Sequence, residues 1–388
     1  MNYHVFIVDN NTFKVHLEYM FAGTGAGDKT LPFISNPEDT TIHSRTEINL
    51  VSMIADISRV RVGDKIIFYL QANSATNRPG MFFGVFKAIS TAFYDANDDK
   101  NYLKAELKKA LTFRIKIEPD TIYPLGVSEH YYLDSLENIE HPSQMCWSLI
   151  YRKLKGNRGC TMINDYEFDA LLSKIKYINN NKCYNSDVKN FTFKISSYAI
   201  EPLEQKHTYE GRSESLDVKD RLLCKANKQN KFECHLQAYI MQNIDSGHLR
   251  DLFLMPDTPF WIGNEVSCGV GMQRIDVMIR QEKDQDIYLR IIELKCVSPE
   301  FYIIENQLPW YIEWVTDYIV PNYTSRGKNV HIIPTIVALN TNNKEFINKC
   351  KKFNLSYKQQ NKLSIEPLEY IAVETDPGNI SFKKVKLA

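Results

Sequence analysis

Two runs of alternating apolar residues between positions 273 and 296 constrain this chain more than any other feature. They flank a polar stretch, 281–286, that is compatible with a reversal of the chain, so the sequence predicts a β-hairpin. Because side chains alternate along a strand, Glu293 and Lys295 lie on one face of the second strand, roughly 6.6 Å apart at about 3.3 Å per residue. Leu294 points to the other face, toward the core. One carboxylate and one ammonium group therefore share a face.

A third ionisable residue, Asp276, lies among apolar residues of the first strand. An unpaired carboxylate is too costly to bury there unless a cation or hydrogen-bond donors accompany it. A divalent cation bound by Asp276 and Glu293, with Lys295 beside it, satisfies all three groups, and Mg²⁺ prefers such oxygen ligands. This arrangement would stabilise charge on a phosphodiester during hydrolysis. From E-x-K alone, an exposed strand with scattered charges is at least as good an explanation.

The sequence on either side of the hairpin makes the charged pattern more specific. Its blocks follow one another in this order: Glu233 in Phe-Glu-Cys-His-Leu-Gln-Ala-Tyr-Ile, Glu265 before the hairpin, Arg274-Ile275-Asp276, Glu293-Leu294-Lys295, and Gln307-Leu308-Pro309-Trp310-Tyr311-Ile312-Glu313. With these blocks the chain resembles the PD-(D/E)xK nuclease superfamily, and more closely its NucS-like branch of DNA endonucleases, over roughly residues 220–375. Pro309 is compatible with the last block if its helix begins near Leu308.

The resemblance implies a role for the polar residues of these blocks. It implies that the catalytic residues are Asp276, Glu293, Lys295, Gln307 and Tyr311, the last two reaching the site from the helix after the hairpin. It further implies that Glu233, on a helix before the hairpin, completes a metal environment with Asp276 and Glu293. The expected cofactor is Mg²⁺ or Mn²⁺. Without the other blocks, Glu233 at a helix start could equally well stabilise the helix dipole.

Length and composition bound the remaining possibilities. A chain of 388 residues is too long for one typical domain, so two are expected. Lys and Arg number 47, as do Asp and Glu, so a nucleic-acid enzyme would have to concentrate its basic residues in a groove. The eight cysteines form no C-x-x-C pair, and no apolar stretch is long enough to span a bilayer. These features predict reduced thiols in a cytoplasmic protein without membrane insertion.

The N-terminal part of the chain carries a second set of blocks. A predicted helix, 45–58, is followed by the strand-like blocks Val62–Tyr69, Phe83–Ala88 and Leu111–Ile115. The Val-Gly-Asp-Lys-Ile-Ile-Phe-Tyr block in particular resembles the EVE domain of the PUA/YTH-like superfamily, over about residues 1–180. This resemblance implies a small β-barrel with a pocket for a flipped base, often a modified one.

Aromatic and basic side chains of this part are the candidates for contacting DNA. An aromatic ring stacked on a base contributes roughly 1–3 kcal/mol, which offsets the cost of extruding the base. The aromatic candidates are Tyr19, Phe21, Tyr69 and Trp147, each of which could instead be a core residue. The basic candidates for gripping the phosphate backbone are Arg152, Lys153, Lys155 and Arg158, which could instead form a solvated loop.

The predicted organisation is an α+β protein of two domains. Residues 1–182 are expected to form the EVE/PUA-like β-barrel with helices, and residues 183–222, rich in polar residues, a linker and lead-in. Residues 223–388 are expected to form the PD-(D/E)xK core, a mixed sheet flanked by helices.

The two resemblances together suggest a modification-dependent DNA restriction endonuclease. The N-terminal domain would read a flipped base and the C-terminal domain would cut the backbone with Mg²⁺. Cleavage of both strands requires two active sites, so a homodimer is expected. One alternative is a NucS-like mismatch- or structure-specific repair endonuclease. Another is a nucleotide-sensing or DNA-binding protein whose nuclease fold is gated or inactive.

Overall fold

The chain forms two compact units. The computed structural model describes residues 1–25, 31–95, 102–133, 139–140, 159–205, 207–228, 232–268, 273–295, 301–339, 343–356, 362–376 and 378–387. The first unit comprises the described parts of Met1–Leu31, Asp56–Glu140 and Gln144–Leu216, and the second those of Pro32–Ala55 and Asp217–Ala388. A segment from the N-terminal part of the sequence thus belongs to the C-terminal unit.

The elements up to residue 216 combine one large sheet with short helices. The sheet has the strand order β2, β6, β4, β3, β1, β8, with β5 beside β6 and β7 beside β4, and it curls into a half-barrel. Its strands pair antiparallel except for β1 and β3. In chain order the elements are β1 (Tyr3–Val8), α1 (Asn10–Tyr19), β2 (Phe21–Thr24), α2 (Pro32–Ser35), α3 (Ser44–Ser58), β3 (Lys65–Leu70), β4 (Met81–Ala88), β5 (Phe93–Tyr94), α4 (Lys104–Leu107), β6 (Phe113–Pro119), β7 (Val127–Ser128), α5 (Glu129–Leu133), β8 (Cys160–Ile163), α6 (Asp165–Ile178), β9 (Phe191–Lys194) and β10 (Ala199–Pro202).

The Gly-Asp pair of the Val62–Tyr69 block builds the turn that leads into β3. Gly63 has a φ of +94°, a conformation that a residue with a side chain rarely adopts. The buried carboxylate of Asp64 accepts hydrogen bonds from the backbone N–H of Arg61 at 2.8 Å and of Asn2 at 2.9 Å. His4 Nε2 lies 3.0 Å from the same carboxylate. The turn therefore ties the start of β3 to the start of β1.

The segment 183–222, predicted as a linker and lead-in, is folded in the structure. Its strands β9 and β10 pair antiparallel, and its described part up to Leu216 belongs to the first unit. The Phe193 ring is 4.7 Å from that of Phe13 on α1, and the hydroxyl of Thr192 donates to Glu18 at 2.7 Å. Buried apolar side chains such as Phe191, Phe193 and Ile200 thus attach this largely polar segment to a core that sequence periodicity does not reveal.

The second unit is built on one mixed sheet. Its strand order is β11, β12, β13, β14, β16, β17, with β15 beside β14. The central strand β13 pairs antiparallel with β12 and parallel with β14, which confirms the predicted mixed α and β class. In chain order the elements are α7 (Lys219–Asn227), α8 (Glu233–Asn243), α9 (Gly247–Phe253), β11 (Phe260–Ser267), β12 (Arg274–Lys283), β13 (Asp286–Lys295), α10 (Leu308–Tyr318), α11 (Pro321–Thr324), β14 (Asn329–Leu339), α12 (Lys344–Ser356), β15 (Leu363–Ile365), β16 (Glu369–Asp376) and β17 (Asn379–Val385).

The predicted hairpin is strands β12 and β13, with a shorter turn than the polar stretch 281–286 suggested. The strands continue to the pair Lys283 and Asp286, so only two residues make the turn, and Asp284 has a φ of +57°. Aspartate tolerates this left-handed conformation better than most residues. A π-helical turn, Ile303–Gln307, precedes α10, so Pro309 falls in the first turn of α10, as expected.

We predict that Phe193→Ala destabilises the first unit by about 3–5 kcal/mol, because it removes a buried aromatic ring from the core. Phe193 is 2% exposed. Ile195→Ala, two residues further on where the side chain is 41% exposed, is the matched control and should leave the free energy of unfolding almost unchanged. Denaturant unfolding measures both values. Equal, small effects would mean that β9 is attached loosely, as a linker would be.

Candidate active site

Three carboxylates stand in one row across neighbouring strands. The registers of the flanking residue pairs place Asp276 of β12 opposite Glu293 of β13 on one side and opposite Glu265 of β11 on the other. Directly opposed residues project from the same face of a sheet. The row therefore concentrates negative charge on one face, at the end of the strands where β13 finishes with Lys295.

The side chains of Asp276, Glu293 and Lys295 lie together at one end of the sheet. Lys295 Nζ lies 2.5 Å from Glu293 Oε1, and Asp276 stands directly opposite Glu293 across the two strands, close enough for the charge of Glu293 to raise its pKa. The backbone N–H of Leu294 donates to Asp276 Oδ2 at 2.7 Å. Leu294 itself is fully buried. The structure thus brings together the three groups that the sequence predicted to share a site.

Helix α8 supplies two more polar side chains. Glu233 Oε2 lies 3.8 Å from Lys295 Nζ. One turn further on, Gln237 Nε2 donates to the backbone carbonyl of Asp276 at 2.9 Å and to Glu265 Oε1 at 3.3 Å. Residues four apart on a helix lie on the same face, so one face of α8 is directed at the carboxylate row.

Helix α10 closes the site from the other direction. The Tyr311 hydroxyl donates to the backbone carbonyl of Arg274 at 2.8 Å and lies 3.2 Å from Glu293 Oε2. Gln307 Nε2 donates to that hydroxyl at 3.2 Å. The two residues predicted to reach the site from this helix are therefore linked to Glu293, with Tyr311 in contact and Gln307 behind it.

Two residues of the site were not among the sequence-predicted catalytic residues. Glu265 forms an ion pair with Arg274, whose Nη1 lies 2.7 Å from Glu265 Oε2. It also accepts the hydrogen bond from the side-chain amide of Gln237. It has a φ of +50° within β11, an unusual conformation for a strand residue. Gln237 lacked any signal beyond its spacing of four residues from Glu233, and that spacing could have indicated it.

The electrostatics of the site are those of crowded carboxylates. Burial, followed by the charges of Glu293, Glu233 and Glu265, raises the pKa of Asp276 well above its usual value. Burial also raises the pKa of Glu293, although Lys295 beside it opposes the rise. The pKa of Glu233 is raised as well, first by burial. The neighbouring carboxylates thus make it harder for Asp276 and for Glu233 to ionise.

The acidic pair Asp276 and Glu293 suits a hard divalent cation. The two stand opposite each other across β12 and β13, and a cation between them would replace repulsion by attraction. Among the described residues no group of three His, Cys, Asp or Glu side chains could together hold a metal ion, so the expected set of Glu233, Asp276 and Glu293 is not brought together, and Glu233 lies 3.8 Å from Lys295 instead. A bound Mg²⁺ or Mn²⁺ would have Asp276 and Glu293 as its protein ligands, with further oxygen ligands from water or phosphate.

The aromatic residues predicted to stack on a base have other surroundings. Phe21 is fully buried, with its ring 4.6 Å from that of His16 and 4.9 Å from the Arg114 guanidinium. Tyr69 is also buried, and its hydroxyl donates to Glu129 at 2.7 Å. Both are core residues, which corrects the prediction for them. A base can stack only on an accessible ring.

Of the remaining candidates for base or DNA contact, Tyr19 is partly exposed, and its ring is 5.0 Å from that of His207. The other five lie outside the described residues: Trp147, Arg152, Lys153, Lys155 and Arg158.

The carboxyl end of β1 offers polar groups that the sequence did not single out. The backbone N–H of Ile7 donates to the carbonyl of Gly159 at 3.0 Å. Gly159 packs so closely on β2 that a Cβ there would lie 2.1 Å from the hydroxyl oxygen of Thr24. Asn10 Oδ1, just beyond β1, is buried without a hydrogen-bond partner among the described residues.

Comparison with known proteins gives limited similarity. No family model and no curated protein matches the chain. Among solved structures, a hypothetical protein from Leishmania major has 10% identity and a TM-score of 0.28, over 46% of this chain and 96% of its own. Human THYN1 protein, solved in complex with DNA containing 5-methylcytosine, has 10% identity and a TM-score of 0.27, over 45% and 98%. A Pseudomonas syringae protein has 13% identity and a TM-score of 0.26, over 45% and 99%.

The helices of the described residues include none that is both long and apolar enough to cross a membrane.

We predict that Asp276→Asn raises the melting temperature at neutral pH in the absence of divalent metal. The folded-state pKa of Asp276 lies above its ordinary value of 3.8, so its ionised form destabilises the fold at neutral pH. This penalty disappears as the pH falls below the ordinary value. Asparagine keeps an oxygen for the Leu294 N–H while removing the charge. The gain should be a few degrees, since about 1 kcal/mol moves the melting temperature by roughly 2–4 °C.

Thermal unfolding of both proteins between pH 4 and pH 8 measures this effect. The exposed Asp251 on α9 provides the control, and Asp251→Asn should show no such pH-dependent gain. Added Mg²⁺ should stabilise the wild type more than Asp276→Asn, because only binding to the folded state contributes. A melting temperature of Asp276→Asn that is lower at every pH would contradict the crowding of carboxylates.

Proposed function

We propose that the protein is a metal-dependent DNA endonuclease that hydrolyses phosphodiester bonds. The observation that carries this proposal is the convergence of Asp276, Glu293 and Lys295, with Asp276 opposite Glu293 in the strand register and Lys295 Nζ 2.5 Å from Glu293. Two carboxylates and a cationic side chain at one point provide sites for a divalent cation and for a phosphate oxygen.

The chain's own residues would position the reacting groups, balance the charge on the phosphate and handle protons. Lys295, whose pKa is held above its ordinary value chiefly by Glu293 against the opposing effect of burial, stays charged and can neutralise a phosphate oxygen. Tyr311, whose hydroxyl lies 3.2 Å from Glu293 Oε2 and accepts a hydrogen bond from Gln307, would help to position the Glu293 carboxylate. A bound Mg²⁺ or Mn²⁺ would supply Lewis acidity and lower the pKa of a bound water.

We further propose that the first unit reads a base, in particular a modified one, and that cleavage is directed by it. The proposal draws on the Val62–Tyr69 block and on the basic segment 152–158, which precedes Gly159 at the carboxyl end of β1. The buried, unpartnered Asn10 Oδ1 there is an acceptor that the exocyclic amino group of a base could satisfy. Cutting both strands would call for a homodimer, with one site for each strand.

We predict that Asp276→Ala and Lys295→Ala each lower the cleavage rate of DNA carrying modified cytosine by at least about 10²–10³-fold in Mg²⁺. Each change removes a group in direct contact with the site. The matched control is Lys328→Ala, which removes a surface lysine paired with Glu282 at 2.9 Å and should cleave like the wild type. Supercoiled plasmid assays with methylated, hydroxymethylated and unmodified cytosine, and with methylated adenine, measure the rates.

Undiminished cutting by Asp276→Ala would end the catalytic assignment. Equal cleavage of modified and unmodified branched or mispaired DNA would instead favour a repair endonuclease. If the wild type cleaves none of these substrates but binds free nucleosides in calorimetry, the sensor alternative is correct.

We predict that Trp147→Ala reduces the preference for modified over unmodified DNA, because loss of one stacking partner costs roughly 1–3 kcal/mol. Arg152→Ala should weaken binding to both DNAs equally. It should also make the slope of log K against log salt shallower by about 0.9 for each lost phosphate contact. Lys176→Ala, an exposed residue of α6, is the control. Binding is measured in Ca²⁺ by fluorescence anisotropy, and an unchanged preference in Trp147→Ala would remove Trp147 from the base pocket.

A further inference from the structure

A buried carboxylate far from the hairpin in sequence belongs to the same unit as the candidate active site. Glu47 lies on α3, within the segment Pro32–Ala55 that packs in the second unit. It is 1% exposed. A glutamate is rarely buried unless its charge is paired. The groups around Glu47 therefore indicate the role of the segment Pro32–Ala55.

Three side chains from the helices before the hairpin surround Glu47. Arg221 of α7 binds both carboxylate oxygens, through Nε at 2.7 Å and a terminal nitrogen at 2.9 Å. Lys225, one turn further along α7, donates at 2.9 Å, and His235 Nε2 of α8 lies 2.9 Å from Oε1. Burial raises the pKa of Glu47. The hydrogen bonds from His235, Arg221 and Lys225 lower the pKa by a larger amount, so it lies well below its usual range.

The segment Pro32–Ala55, which contains most of α3, also makes weaker contacts, and these serve as a comparison. Arg221 also donates to the carbonyl of Pro37, and its guanidinium lies 5.6 Å from the ring of Phe33. Glu38 pairs with Lys228 and with Cys224, but its side chain is 65% exposed. An exposed pair of this kind contributes little, whereas removing one partner of a buried pair is strongly destabilising. Glu47 is therefore the anchor of the segment.

The anchor acts on the helix that carries part of the candidate active site. His235 is two residues after Glu233, about 200° around a helix with 100° per residue, so the two side chains leave α8 on opposite faces. Glu233 and Gln237 face the carboxylate row, and His235 faces Glu47. Fixing His235 consequently fixes the rotation and height of α8 at its first turn, where Glu233 is located.

We propose that Glu47 is a positioning residue of the cleavage site, which sets Glu233 beside Lys295 and Gln237 against the backbone of Asp276 by holding α8 through His235. This inference rests on the proposed nuclease function. The proposal also means that a segment from the N-terminal part of the sequence completes the nuclease unit. When that segment is displaced, Arg221 and Lys225 lose their buried counter-charge.

The test compares full-length Glu47→Gln with Glu38→Gln, which alters the exposed carboxylate of the same segment. Removal of a residue that orients metal-site groups typically costs roughly 10–100-fold in metal affinity or activity. We expect Glu47→Gln to raise the Mg²⁺ concentration for half-maximal cleavage by this factor and to lower kcat, with KM for DNA little changed. Glu38→Gln should behave as the wild type. Rates are taken at a temperature where both variants are folded by circular dichroism.

A second readout does not depend on activity. Hydrogen–deuterium exchange of the peptide containing the first turn of α8 should rise in Glu47→Gln and remain unchanged in Glu38→Gln. Where Glu47→Gln does not fold, His235→Gln replaces it, because it breaks the same link without stranding two cations. If the wild type cleaves no DNA, the proposed nuclease function fails, and the exchange experiment alone decides whether Glu47 holds α8.

Two results would overturn the proposal. One is unchanged exchange at α8 in Glu47→Gln. The other is increased exchange with wild-type Mg²⁺ dependence and kcat, which would make Glu47 a residue for stability only.

Discussion

The crowding of carboxylates around Asp276 is the constraint that the second unit has to accommodate. Asp276 stands opposite Glu293, Lys295 Nζ lies 2.5 Å from Glu293 Oε1, and the backbone N–H of Leu294 donates to Asp276 Oδ2 at 2.7 Å. Charges this close persist in a partly buried site only when rigid elements hold them there. The central position of β13, paired on both edges, supplies that rigidity, and the strain remains available to whatever cation and phosphate bind.

The helices around the sheet place oriented polar groups on both sides of this row of charges. Helix α8 contributes Gln237 on one side and α10 contributes Tyr311 on the other, each through hydrogen bonds of about ordinary length, and Glu233 of α8 lies 3.8 Å from Lys295. Oriented groups of this kind cost no reorganisation when charge develops during a reaction. Glu47 adds a further layer, because it determines where α8 begins relative to the sheet.

The sequence predicted the elements of the site more reliably than it predicted how the chain is divided. The strands β3, β4, β12 and β13 and the helices α3, α8 and α10 appear close to the predicted positions, because apolar periodicity and turn residues are local signals. The division at residues 182 and 222 rested on composition alone. Phe193 attaches the polar segment to the first unit, and Glu47 attaches an N-terminal segment to the second, through contacts between residues far apart in sequence.

For the candidate site, the sequence by itself determined that Glu293 and Lys295 share one face of a strand, since side chains alternate with a period of two. The apolar surroundings of Asp276 indicated that it joins them, and the resemblance added Glu233, Gln307 and Tyr311. Only the tertiary structure decided that Glu265 stands opposite Asp276, and that Phe21 and Tyr69 are core residues instead of a base platform. Strand register and burial depend on which distant segments pair and pack together, and no local pattern of residues carries that information.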